Sequence, residues 1–149
     1  IAEFDPVHPE RLISEPKCLS RPLYGFENTE HTINNEGPYA FYYHNKIYLA
    51  YSGGDARGYL YAIGMLTAND GDDLCDLSVW EKAKTPIASF ATIPGEYGPG
   101  HNSFFWDRDQ NLWIAYHAVT SFEEKIVSSG MRRVYFEQDK TPRFDVIVE

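Results

Sequence analysis

Asn34-Asn35-Glu36-Gly37-Pro38-Tyr39-Ala40-Phe41-Tyr42-Tyr43 sets one carboxylate directly before a Gly-Pro turn, at the entrance to an aromatic run. Proline cannot donate a ladder hydrogen bond and belongs at the first residue of a strand or at an edge, so Pro38 marks where a strand begins. Glu36 is then expected on the loop just outside that strand, where a sheet commonly presents its chemistry. Taken alone, a glutamate before Gly-Pro is more often a solvated loop residue than a catalytic one. A second stretch with the same layout shifts that balance.

Tyr97-Gly98-Pro99-Gly100-His101-Asn102-Ser103-Phe104-Phe105-Trp106 again places glycines, a proline and polar groups before an aromatic strand. The parallel continues beyond the turns. Lys46-Ile47-Tyr48-Leu49-Ala50-Tyr51-Ser52 follows the first strand and Asn111-Leu112-Trp113-Ile114-Ala115-Tyr116-His117 follows the second. Phe41 and Phe104 lie 63 positions apart, Tyr51 and Tyr116 lie 65 apart. Self-similarity at a fixed period signals repeat architecture, and a period of this size carrying several strands suits a β-propeller blade.

Composition agrees with that class. The chain has 149 residues, of which 15% are aromatic, with short alternating apolar runs typical of an all-β protein. The formal net charge of −9 argues against a nucleic-acid partner, whose binding relies on clustered Lys and Arg. No apolar run approaches the roughly 18 residues of a membrane-spanning helix, so no membrane partner is expected. Cys18 and Cys75 show neither a CxxC nor a Cys/His zinc spacing and are read as free thiols, with a single bridge as the alternative. The chain opens on Ile1 without an initiator Met, which suits a mature terminus and a fragment equally.

In chain order, Ile1 to Asp5 alternates like a half-buried strand, and Pro6, Pro9, Pro16 and Pro22 then exclude a long helix. Phe26 is read as packing under a sheet. The best hairpin covers 38–53 around His44-Asn45, and a third strand is expected over 59–67. Asp70-Gly71-Asp72-Asp73 lacks the ligand spacing of a calcium loop and is read as a turn. A short helical turn over 73–80 leads to an outer strand at 80–82, then a connector over 85–100 and a second hairpin over 102–118. A polar loop is expected over 122–130, and a last strand pair over 132–138 and 142–148. At the observed period the chain holds about two to three blades, whereas closed propellers need about four to eight, so it reads as part of a larger ring.

With Asn35-Glu36-Gly37-Pro38, Tyr51-Ser52, Leu66-Thr67-Ala68, Asp73-Leu74, Trp80-Glu81-Lys82, Gly98-Pro99-Gly100-His101-Asn102-Ser103-Phe104 and Tyr116-His117-Ala118 in this order, the sequence resembles glycoside hydrolase family 43. The likeness is to its α-L-arabinofuranosidase and β-xylosidase members. It implies a partial five-bladed β-propeller of antiparallel four-stranded sheets, residues 1–149 forming the C-terminal portion of a catalytic domain. It implies inverting, exo-acting hydrolysis of arabinosides or xylosides of plant cell walls, with Glu36 as general acid. The general base and a second tuning Asp would lie in N-terminal blades, so this chain alone is expected to be inactive.

The resemblance further implies Asn35, His101, Asn102, Arg132 and Arg133 at the substrate, and His101 beside a hydrated calcium ion on the propeller axis. The implied partners are an arabinose- or xylose-containing oligosaccharide and the N-terminal blades. Asp55, Glu96 and Asp107 match no family position and are read as surface acids. His117 reads equally as an axial group or as core packing. The family's Val-Gln after its arginine is replaced here by Val134-Tyr135. The competing functional class is a carbohydrate-binding or degenerate propeller that keeps the scaffold without the acids.

Overall fold

The computed structural model describes residues 1–121, 123 and 126–144. A short hairpin of β1 (Asn28–Thr29) and β2 (Thr32–Ile33) precedes an antiparallel sheet of β3 (Asn35–Tyr43), β4 (Lys46–Gly53), β5 (Ala62–Asn69) and β6 (Glu81–Lys82). A second antiparallel sheet contains β7 (Tyr97–Trp106), β8 (Leu112–Ser121) and β9 (Ile126–Arg133). A small pair, β10 (Tyr135–Phe136) and β11 (Pro142–Arg143), follows. The only helical pieces among the described residues are 3-10 turns at Gly25–Glu27 and Leu77–Val79. No helix among them is long and apolar enough to cross a membrane. The fold is all-β, two successive blades of a propeller.

The first hairpin turns at His44 and Asn45, both with positive φ (47° and 61°), the geometry that a two-residue turn needs to follow strand twist. The two sheets then pack face to face. Phe41, Tyr48, Ala50, Ile63 and Met65 of the first meet Phe104, Leu112, Ile114 and Tyr116 of the second. Phe41 stacks on Tyr48 at 4.8 Å and tilts against Phe104 at 4.5 Å. Such pairs each add about 0.5–1.5 kcal/mol beyond area burial. This core fixes β7 against β3 and so aligns the starts of the two innermost strands.

Several expectations are corrected. Strand β3 begins at Asn35 rather than Pro38, and Glu36 pairs with Ser52 instead of lying on a loop. The register shifts between Glu36 and Tyr39, where Gly37 turns to φ 55° and places Pro38 in a bulge, which needs no N–H from it. Residues 126–130 belong to β9 rather than a loop: their exposed and half-buried positions alternate along an edge strand, where polar residues are tolerated. Arg132 and Arg133 therefore end β9, and the last strand pair shrinks to β10 and β11. The part of the expected 142–148 strand beyond Phe144, and Phe122, Glu124 and Lys125 of the expected loop, lie outside the described residues. The second sheet has three strands among the described residues, not four. Ile1 to Asp5 forms no strand, only a single bridge from Phe4 to Leu12. The turn at Asp70–Asp73 and the free state of Cys18 and Cys75 are as expected.

Candidate active site

The bulge in β3 has a counterpart in β7. Its register shifts on both sides of Gly100, and His101 adopts φ 50°, a left-handed conformation unusual for a side chain of this size. The His101 N–H donates to Ser52 Oγ at 2.7 Å, tying this bend to the end of β4. Ser52 is fully buried and pairs across the ladder with Glu36. The two turns thus arrive at one end of the molecule.

There His101 Nδ1 lies 3.5 Å from Glu36 Oε2. The Glu36 side chain is 32% exposed and His101 62%, so both face solvent while their backbones are held. A Cβ on Gly37 would stand 3.3 Å from His101 Nδ1, so glycine keeps the imidazole close. On the other side, Tyr61 Oη donates to Glu36 Oε1 at 2.8 Å. Burial pushes the Tyr61 phenol well above its ordinary range, and the Glu36 carboxylate that it serves adds to the rise. The ring lies on Gly100, where a Cβ would come within 2.0 Å of it, and stacks on His117 at 5.6 Å. His117 in turn runs parallel to His101 at 6.4 Å. A protonated carboxyl here can give a proton to a group entering from solvent, with the imidazoles available to bind it.

The other expected site residues are placed differently. Asn35 bonds entirely within the protein: Nδ2 donates to Glu27 Oε1 (2.8 Å) and Oδ1 accepts from Ser20 (2.9 Å). Asn102 is 5% exposed, and neither amide atom has a protein partner. Such a buried amide requires ordered water or a further polar group. Arg132 donates to Glu96 Oε1 and to Tyr116 Oη, both at 2.8 Å. Arg133 donates to Asn111 and lies over the Tyr135 ring. These arginines pair with Ile114 and Trp113, whereas His117 is the residue opposite Gly100, so they sit roughly 10 Å further along β8 at about 3.3 Å per residue. The geometry joins Glu36 and His101 and does not bring Arg132 or Arg133 to them.

Three side chains escaped the sequence reading. Tyr61 and Ser52 support Glu36, and Ser52 at least stood in a quoted block. Glu27 carries no sequence signal at all. It is fully buried, accepts from Tyr51 Oη (2.8 Å), Asn35 and the N–H groups of Leu23 and Tyr24, and pairs with Lys82 at 2.5 Å. Burial alone would raise its carboxyl, but Lys82, Tyr24, Tyr51 and Asn35 outweigh it and hold the group below its usual range. Glu96 and Asp107 are likewise not plain surface acids: Glu96 is ion-paired with Arg132, and Asp107 accepts from Trp113 and Asn111. Asp55 caps a turn through the Arg57 N–H, as a surface acid does.

The donors gathered around His101 are one carboxylate and a second imidazole. That set contains too few oxygens to cage calcium by itself, and among the described residues no three metal-ligating side chains converge there.

Comparison with known proteins identifies the scaffold. The chain is 29% identical to an extracellular exo-α-(1→5)-L-arabinofuranosidase of Streptomyces avermitilis over 95% of its length. It is 38% identical over 67% of its length to the enzyme of the same name from Streptomyces chartreusis. It superposes on the crystal structure of an α-L-arabinofuranosidase from Lactobacillus brevis with a TM-score of 0.82 and 29% identity, over 96% of this chain. The chain spans 31% and 30% of the two Streptomyces enzymes and 45% of the Lactobacillus chain. The profile of glycosyl hydrolases family 43 matches residues 8–142, most of the chain, and the protein belongs to that family.

Proposed function

We propose that this chain supplies the general acid of an inverting, exo-acting glycosidase that releases terminal α-L-arabinofuranosyl residues from plant cell-wall polysaccharide. β-Xylosides are the alternative substrate. The carrying observation is the placement of Glu36: half-exposed, bonded on one oxygen by Tyr61 and flanked on the other by His101. The family membership and the arabinofuranosidases among the relatives support an arabinoside.

In this reading protonated Glu36 gives its proton to the glycosidic oxygen as the bond to the anomeric carbon breaks. A second carboxylate, about 6.5–9.5 Å away across the sugar, activates the water that attacks the opposite face. That base, together with the tuning Asp, is assigned to propeller blades outside these 149 residues. His101 binds the sugar beside the acid. Asn35 and Asn102 shape the wall behind it, and Arg132 and Arg133 act at one remove through the second blade. His101 is also assigned as one nitrogen ligand of a largely hydrated, weakly bound calcium ion. Calorimetric titration with CaCl2 should detect binding that His101→Ala removes; equal binding by both forms would refute that assignment.

The experiment for the acid uses the full-length polypeptide. Glu36→Gln should lower turnover of arabino-oligosaccharides by about 10²–10⁴-fold. Dinitrophenyl arabinofuranoside, whose leaving group needs little protonation, should suffer far less. Equal activity of both forms on the oligosaccharide would exclude the role.

A further inference from the structure

The proton that Glu36 transfers has a defined seat, and the groups behind it determine which oxygen that is. The His101 N–H can only donate, and it donates to Ser52 Oγ at 2.7 Å. Tyr61 Oη donates its own proton to Glu36 Oε1 at 2.8 Å. The His101 backbone is thus held on Ser52, and one oxygen of Glu36 on Tyr61.

We propose that Tyr61 is the positioning residue of the general acid: it keeps Oε1 of Glu36 as a standing acceptor, so the transferable proton is carried on Oε2, the oxygen beside His101. The inference rests on the reading of Glu36 as the acid. Tyr61 touches no reacting atom; it acts through Glu36.

Three features fit this role. The phenol stays protonated, since burial and the adjacent carboxylate raise it. The ring has no freedom to leave, being pressed between Gly100, where a Cβ would come within 2.0 Å, and His117. And the bond gains strength during the reaction. The proton leaves Oε2 for the glycosidic oxygen, the C–O bonding pair stays with that oxygen, and Glu36 becomes a carboxylate. A hydrogen bond to an ionised acceptor is roughly twice as strong as one to a neutral acceptor. Tyr61 thus favours the transition state over the bound substrate, which raises kcat rather than lowering KM.

The test compares wild type, Glu36→Gln and Tyr61→Phe in the full-length polypeptide on a series of aryl α-L-arabinofuranosides of increasing leaving-group basicity. Phenylalanine keeps the ring and removes only the donor. Tyr61→Phe should lower kcat on the order of tenfold on the poorest leaving groups, with KM nearly constant and a much smaller loss on dinitrophenyl arabinofuranoside. Rates should steepen with leaving-group basicity in the same sense as for Glu36→Gln. A fall of equal size across the series, or none, while Glu36→Gln shows the steep dependence, would overturn the role of Tyr61. A flat series for Glu36→Gln would instead remove the assignment of the acid. If thermal melting shows that Tyr61→Phe does not fold, 3-fluorotyrosine at position 61 carries the test: it keeps the ring and alters only the donor strength, so the slope with leaving-group basicity should change at nearly constant KM, and an unchanged slope would refute the role of Tyr61.

Discussion

Asp107 shows how far a single half-buried carboxylate can depart from its ordinary behaviour. Hydrogen bonds from Trp113 Nε1 (2.8 Å) and Asn111, aided by the Asp109 N–H, bring its carboxyl from 3.8 down to about 2. A folded-state value below the unfolded one means that the stabilisation is complete above about 3.8 and is lost as pH falls toward 2. The Trp113 indole N–H resonance should therefore hold its hydrogen-bonded position until near pH 2, and in Asp107→Asn it should show no such transition. A shift centred near pH 4 in the parent would contradict the arrangement. Sequence reading placed Asp107 and Glu96 on the surface because it sees charges but not their partners. Arg132 reaches Glu96 across 36 positions, and Lys82 reaches Glu27 across 55, and no local pattern announces either pair.

At the scale of strands, the same device occurs in both blades. Tyr51 of β4 lies opposite Gly64 of β5, donates to Glu27, and shares that carboxylate with Lys82. Tyr116 of β8 lies opposite Gly130 of β9, donates to Glu96 at 2.5 Å, and shares it with Arg132. In each case the glycine makes room for the ring: a Cβ would stand 2.3 Å from Tyr51 at position 64 and 2.5 Å from Tyr116 at position 130. Ring atoms cannot yield as a flexible tail would. Gly64→Ala and Gly130→Ala should each cost about 1–3 kcal/mol in urea unfolding of the intact protein. Gly25→Ala, where nothing lies within 4 Å, should stay within about 0.5 kcal/mol. Losses at 64 and 130 no larger than at 25 would show that the tyrosines are not held this way. The tyrosine repeat was legible in the sequence. The strand carrying Gly130 was not, because Ser128, Ser129 and Gly130 look like a loop until the ring opposite explains the glycine.

For the whole molecule, the aromatic period led to the right architecture: each aromatic run is an innermost strand, and the two share a core. The position of Glu36 was nearly legible as well. Its neighbour Pro38 marks a bulge inside the strand instead of its start, a difference of three residues that moves the carboxylate from a free loop onto a ladder pair with Ser52. That firmer placement is what a proton donor requires, since catalytic geometry tolerates little displacement. Tyr42, Phe105 and Met131 are exposed on the outer faces of the two sheets, consistent with the proposal that further blades complete the ring and bring the second carboxylate.

The most direct check on Glu36 as the proton donor is the pH–rate profile of kcat/KM for the full-length polypeptide on an activated aryl arabinofuranoside, parent against Glu36→Gln. A general acid must be protonated to work, so the parent should lose activity as pH rises. In Glu36→Gln that alkaline limb should vanish while the acidic limb, set by the base, remains. An alkaline limb unchanged in the variant would show that another group donates the proton.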